Sequence, residues 1–308
     1  MGREDVLKRL EALNRGPLHQ APMIAEACHP SGRYPGRPAA GAAPASEPDA
    51  SWSVQMVDTA AVLSSQAGRD QASNLDTVVP GEVREAPGGG HYWLVEKPVP
   101  LVADWCGPTL ERVDSALSGP LGVWLKKSMG CSDGVHWNDL LFVDLETTGL
   151  ENSPLFLIGT IHAGPEGLIA RQYLARNFEE EASVLRAFAN AAQGFRIMVT
   201  FNGLNFDGPF LLRRAASWSI PLKYPTRQLD LLLTARRHYR GKLPNCKLQT
   251  LEQHLCGRQR VGDIPGSEIP SAYHEFVATG DAARMASILH HNILDMVTMI
   301  DLLDRLCF

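Results

Sequence analysis

Asp144 and Glu146 stand one residue apart in the run Leu140–Leu150, LLFVDLETTGL. On a β-strand, residues i and i+2 face the same way, so this spacing sets two carboxylates side by side. Two like charges about 4 Å apart repel by roughly 4 kcal/mol at an effective dielectric near 20. A hard divalent cation such as Mg²⁺, which takes carboxylate oxygens, is the usual counterweight. A surface strand with two solvated acids is the plain alternative. Two later acids bear on the choice. Asp207 lies in TFNGLNFDGPFL (200–211), where a strand ends at Phe201, a turn begins at Asn202-Gly203 and a helix starts. There an Asp is otherwise an N-cap. Asp295 interrupts the apolar helical pattern of Met285, Ile288, Leu289, Val297 and Ile300. An acid near a packed face needs a partner, and a cap or an ion pair would suffice.

These acids must be positioned by folded elements, and the pattern supplies them. LLFVDLET, LFLIGTIHAG (155–164) and LIARQYLA (168–175) read as three strands with short connections, an antiparallel meander. Phe178–Gln193 reads as a helix, FRIMVTFN (195–202) as a buried strand, and Asp207–Ser217 as a helix with Pro209 in its first turn. A short strand near Leu222–Leu229 and helices from Asp230, Lys247, Ile269 and Asp281 follow. Strands first and then alternating β and α imply an α/β fold, a mixed sheet flanked by helices.

Upstream the signal thins. Val6, Leu7, Leu10 and Leu13 predict a short helix over residues 4–14. Pro17–Ala50 holds seven of the 21 prolines and a single Tyr, a composition too poor in apolar surface to offset its ordering entropy. Residues 1–88 are therefore expected to be mostly disordered, ending at Pro87 and the glycines Gly88–Gly90. HYWLVEK (91–97) predicts a strand, and residues 109–129 a helix on either side of Gly119-Pro120. This accessory segment, 89–136, is too small for a core of its own and is expected to pack on the domain of 137–308.

The whole chain of 308 residues carries a net charge of −5, so any basic surface must be local. No run of about 18 apolar residues is present, and no membrane span is expected. The start is charged and lacks a signal-peptide core. Six scattered cysteines with no C-x-x-C fit neither a zinc site nor a disulfide framework. A reducing, cytoplasmic setting is the expectation.

Three segments, taken in order, resemble the exonuclease motifs of the DEDD superfamily. Asp144-Leu145-Glu146-Thr147 matches D-x-E-T; Asn202-x3-Phe206-Asp207 matches N-x3-[FY]-D; His291-x3-Asp295, or His290-x4-Asp295, matches the third. FNG-x-x-FD-x-PFL, Asp230-Leu231, Cys246–Leu251, Gly262–Gly266 and His291-Asn292 are similar to the YprB-type ribonuclease H-like domains. The resemblance covers residues 138–308 and implies a ribonuclease H-like sheet of five strands, the first three antiparallel. It further implies a 3′→5′ exonuclease acting on single-stranded or frayed nucleic acid. Asp144, Glu146, Asp207 and Asp295 would hold two Mg²⁺ or Mn²⁺ ions, and a His would take a proton from the attacking water. A structure-selective endonuclease and a non-cleaving nucleic-acid-binding module are the other readings.

Which His acts depends on the helix. On a continuous one, i and i+4 share a face, which favours His291 with Asp295; a helix starting near Asn292 would favour His290. Thr147, Thr148 and Leu150 follow the acids where related enzymes meet substrate, with turn chemistry and packing as alternatives. Asn202 could orient Asp207 or touch substrate. Phe206 could stack on a base, although core packing is the simpler role. Residues 222–260 hold nine basic residues against Asp230 and Glu252, a local +7 that suits a phosphate backbone. Arg236, Arg237 and Arg240 are its helical cluster.

Overall fold

The computed structural model describes residues 73–306 apart from 100–105, 132, 151 and 166. The helix expected over 4–14 and the proline-rich stretch after it lie outside the described residues. Order is already present at 73–88, which composition assigns to the unstructured region. Here lie a short helix α1 (Leu75–Val78) and strand β1 (Glu82–Glu85), which turns back into β2 (His91–Pro98). The turn is the reason composition does not reveal this hairpin. Gly88, Gly89 and Gly90 take φ of 82°, 92° and 82°, a run that only glycine adopts cheaply. The triple glycine is therefore the bend of a hairpin, closed by Ala86 N–H to Gly90 O at 2.8 Å.

Two helices follow, α2 (Cys106–Leu117) and α3 (Pro120–Met129), split at Gly119-Pro120 as the sequence predicts. Then come β3 (Leu140–Thr147), β4 (Leu155–Gly164), β5 (Gly167–Leu174), α4 (Glu181–Ala191), β6 (Ile197–Thr200), α5 (Asp207–Ser217), β7 (Arg227–Asp230) and α6 (Leu231–Tyr239). The chain closes with α7 (Leu248–Leu251), a π-helical turn (Glu252–Cys256), α8 (Ile269–Thr279) and α9 (Met285–Leu306). The seven strands form one sheet in the order β1-β2-β5-β4-β3-β6-β7. The meander β3–β4–β5 is antiparallel, and β6 and β7 join β3 in parallel. This is the mixed, ribonuclease H-like α/β sheet the motifs imply. It has seven strands rather than five because β2 pairs antiparallel with β5 and brings β1 with it.

The sheet separates two apolar cores. Leu141, Val143 and Leu145 of β3 point to one, with Val184 and Phe188 of α4, Phe210 of α5 and Tyr273 of α8. Leu140 and Phe142 point to the other, with Val113 and Leu117 of α2, Leu121 and Leu125 of α3 and Ala235 of α6. By the two-residue period, Asp144 and Glu146 continue the second face. Helix α9 has no Gly or Pro to break it and runs on through both cores. Met285, Ile288 and Leu289 belong to the first core; Ile293, Met296 and Val297 belong to the second. Its crossover, residues 290–295, passes over the carboxylate end of β3.

One row across the sheet admits that crossing. Asp144 pairs with Gly159, and Gly159 with Gln172. Asn292 of α9 lies over this row. Its Nδ2 donates to Asp144 Oδ2 at 2.8 Å, and its Oδ1 accepts from Gln172 Nε2 at 2.9 Å. A Cβ on Gly159 would overlap Asn292 Oδ1 and meet Met296 Cε at 2.7 Å. Gly159→Ala should therefore destabilise the protein by about 1–3 kcal/mol through overpacking, measured as a lower urea midpoint with an unchanged m-value. An unchanged midpoint would mean that the helix does not rest on this strand.

Candidate active site

The carboxyl ends of the parallel strands β3, β6 and β7 form one edge of the sheet, the edge at which open α/β sheets take ligands. Asp144 and Glu146 come to it on β3 and are half-buried; Asp207 opens α5 just after β6 and is buried; Asp295 faces it from α9. Burial raises the Asp144 carboxyl well above its usual range, and the charges of Asp295, Glu146 and Asp207 raise it further. Glu146 is pushed up to about 8, by burial first, against the favourable charge of His291, and then by Asp295 and Asp207. Burial lifts Asp207 to about 7 although backbone N–H groups, its own and that of Leu145, bond to it. Asp144 thus feels the charge of the other three acids and Glu146 that of Asp207 and Asp295, although the four span 151 residues of chain.

A second layer grips this cluster from 252–263. Arg260, with 7% of its side chain exposed, sits among three acids. It reaches Glu252 Oε2 at 2.7 Å, Asp263 Oδ2 at 3.1 Å and Asp295 Oδ1 at 2.5 Å. Both oxygens of Asp263 lie 2.9 Å from His291 Nδ1, and His291 Nε2 lies 3.7 Å from Asp295 Oδ2. Burial would lower the His291 pKa, but the hydrogen bond its Nδ1–H donates to Asp263 and the charges of Asp295 and Glu146 raise it to about 9. Because α9 is unbroken from Met285 to Leu306, His291 and Asp295 share its buried face, while His290 is exposed.

The loop carrying Asp207 is held from beneath by Asp230, which does more than cap α6. Its carboxylate accepts N–H bonds from Leu232, the capping bond, and also from Asn202 at 2.9 Å and Leu204 at 3.2 Å. Asn202 takes the left-handed conformation, φ 70°, which Asn tolerates better than most residues, and its carbonyl accepts from Phe206 N. The Asn202 Oδ1 is buried without a hydrogen-bond partner. Phe206 is half-buried and packs on Phe210, 5.4 Å between centroids. The hydroxyls of Thr147 and Thr148 donate to Gly149 O and Pro154 O, the turn chemistry weighed above, and Leu150 is half-buried on the same turn.

The basic stretch is partly spent inside the fold. Arg227 donates to the carbonyls of Met129 and Gly130, Arg258 pairs with Asp301, and Arg260 serves the network above. Arg237 and Arg240 are exposed and Arg236 is half-buried. These three lie at the far end of α6, roughly 9 Å or more along its axis from Asp230. Arg260, Asp263, Glu252, Asn292 and Gly159 are residues of the site to which the sequence gives no site role, although Asp263 and Asn292 fall in stretches that carry the family resemblance. Asn292 is legible as a polar residue inside an apolar helix, and Asp263 as an acid between a glycine and an apolar Ile-Pro pair.

Carboxylates are the donors hard divalent cations prefer, and burial with mutual repulsion gives these four a reason to welcome one. The donor set fits in chemical type. As placed, no group of three or more His, Cys, Asp or Glu side chains among the described residues is gathered closely enough to hold a metal ion. Arg260 has drawn one oxygen of Asp295 to itself. No helix of the described residues is long and apolar enough to cross a membrane.

Comparison with known proteins returns a family model described as the RNase_H superfamily, matching residues 141–307, more than half of the chain. The uncharacterized protein YprB of Bacillus subtilis is 29% identical over 174 residues, 55% of this chain and 42% of that protein; this chain thus spans less than half the relative's length. The family B DNA polymerase of Pyrobaculum calidifontis superposes with a TM-score of 0.45 at 17% identity, over 54% of this chain and 24% of that one, a likeness too slight to bear on function.

The raised groups imply a pH dependence. Glu146 at about 8, Asp207 at about 7 and His291 at about 9 all hold protons in the folded state that the unfolded chain gives up at lower pH. Folded protein binds more protons than unfolded between pH 7 and 9, so stability falls as pH rises through that window. Thermal midpoints in EDTA should drop from pH 7 to pH 9, and Mn²⁺ should shrink the drop by replacing protons on the acids. A midpoint that is flat or rises with pH would show that the acids are not held together.

Proposed function

From its membership of the RNase_H superfamily, to which the chain belongs by the match over residues 141–307, we propose that this protein is a metal-dependent 3′→5′ exonuclease of single-stranded or frayed nucleic acid. The observation that carries the proposal is the arrival of Asp144 and Glu146 on β3, Asp207 at the start of α5 and Asp295 on α9 at one sheet edge, with Asn292 and His291 of α9 reaching Asp144 and Asp295. Superfamily members are generally nucleases, and they generally use divalent metals. The three motifs supply the narrower reading, including direction.

Asp144, Glu146, Asp207 and Asp295 would hold the metal ions. When bound, two Mg²⁺ or Mn²⁺ ions supply charge stabilisation to the attacking and leaving oxygens of a phosphodiester. The chain's own residues do the rest. Asn292 fixes the Asp144 carboxylate from above, and Leu145 N–H and the Asp230-held loop fix Asp207. His291 Nε2 faces the acids, which with Asp263 hold the ring protonated up to about pH 9 in the metal-free chain; where bound cations neutralise those acids, it would accept the proton of the attacking water. Thr147, Thr148, Leu150, Asn202 and Phe206 border the edge where a terminal nucleotide would sit. Of these, Asn202 has a buried Oδ1 with no hydrogen-bond partner among the described residues. Arg236, Arg237 and Arg240 would follow the strand's phosphates further out.

One observation favours a second reading, a module that binds nucleic acid without cutting it. Arg260 supplies Asp295 with a cation from within the chain. Labelled DNA and RNA oligonucleotides with Mn²⁺ or EDTA separate the two. A ladder growing from the 3′ end, lost in EDTA and reduced at least about 100-fold by Asp207→Asn, is the expected result. Internal cuts would make it an endonuclease, and a gel shift without cleavage would establish the binding module. In the same assay, His291→Ala should lower the rate by about 10²–10⁴-fold with Mn²⁺ affinity nearly unchanged, and His290→Ala should cost little. The reverse ranking would move the base to His290.

A further inference from the structure

Asp263 meets the imidazole of His291 on the side away from Asp295, and neither motif nor comparison gives it a role. Its two oxygens stand equally, 2.9 Å, from Nδ1. A carboxylate only accepts, so a neutral His291 must carry its proton on Nδ1 and leave Nε2 bare. That bare nitrogen is the one 3.7 Å from Asp295 Oδ2. The carboxylate is itself fixed: Arg260 Nη1 holds it at 3.1 Å, and Glu252, presented by the π-helical turn, holds Arg260 at 2.7 Å. Single π turns of this kind are rare and tend to occur at functional sites. Asp263, His291 and Arg260 each have less than a tenth of the side chain exposed, so water offers little competition for these bonds.

We propose that Asp263 is a positioning residue: it selects the Nδ1–H tautomer of His291 and aims Nε2 at the carboxylate edge, with Arg260 and Glu252 holding it in place. A loop residue twenty-eight positions upstream thus completes a His that a four-residue spacing on α9 could only place. The inference rests on the reading of His291 as proton acceptor for its consequence in catalysis, but not for the orientation itself.

Two measurements on the full chain test it. The first needs no activity and no variant: ¹⁵N chemical shifts of the histidine rings in the wild-type protein, with and without Mg²⁺, at a pH where His291 is neutral. The expected spectrum has one buried imidazole with a protonated Nδ1 and an unprotonated Nε2. A proton found on Nε2 overturns the proposal. The second is a double-mutant cycle of Asp263→Asn and His291→Ala on a labelled oligonucleotide with Mn²⁺. Asp263→Asn alone should lower kcat about 10–100-fold with KM and Mn²⁺ affinity nearly unchanged, and should cost less than about twofold once His291 is Ala, since residues acting as a unit are not additive. An equal cost in both backgrounds would make Asp263 merely structural and sink the proposal. If His291→Ala keeps the full rate, the base assignment fails, whereas the ring spectrum still decides the orientation.

Discussion

Four acids share one partly buried edge of this sheet, and holding them there against their own repulsion is the constraint the rest of the molecule answers. Each remedy is local and different. Asp144 is bonded by an amide, Asp207 by backbone N–H groups, Asp295 by a guanidinium, and Glu146 by the charge of a histidine. One of these donors, the Leu145 N–H, comes from the strand that carries the acid pair; the others come from α9, from the first turn of α5 and from the segment after the π turn. The site is therefore a product of tertiary packing rather than of any one motif.

Helix α9 does most to unite it. Its 22 residues serve two cores in turn, so its axial position is fixed at both ends by apolar contact. A polar stretch of a few residues can then be carried across the strand end with little freedom to slide. The same logic operates at smaller scale in Asp230, whose single carboxylate ties a helix start to the loop in front of Asp207. In both cases burial supplies rigidity and hydrogen bonds supply direction.

Most of the framework is legible in the residue pattern, because hydrophobic period and turn residues speak for themselves. The meander, Asp207–Ser217 and the break at Gly119-Pro120 come out where they stand. The order at 73–88 does not, since four exposed residues of β1 carry no apolar alternation and Gly88–Gly90 reads as a linker until its partner strands are known. Asp144, Glu146, Asp207 and Asp295 stand out through spacing and order. Arg260 does not, because a charge sum counts an arginine as surface whether or not three carboxylates enclose it, and Asp263, though inside the Gly262–Gly266 stretch, meets His291 only through the fold. His291 rather than His290 turns inward, a distinction that depends on α9 remaining helical from Met285 onward.

The row Asp144–Gly159–Gln172 beneath Asn292 has a bearing on descent. Gly159 has room for no side chain, Gln172 answers one end of the amide and Asp144 the other. A lineage that altered any one of these four would leave the others mismatched, so they should be inherited as a block. In homologous chains, Gly159, Gln172 and Asn292 together offer a mark of common ancestry beyond the four acids themselves.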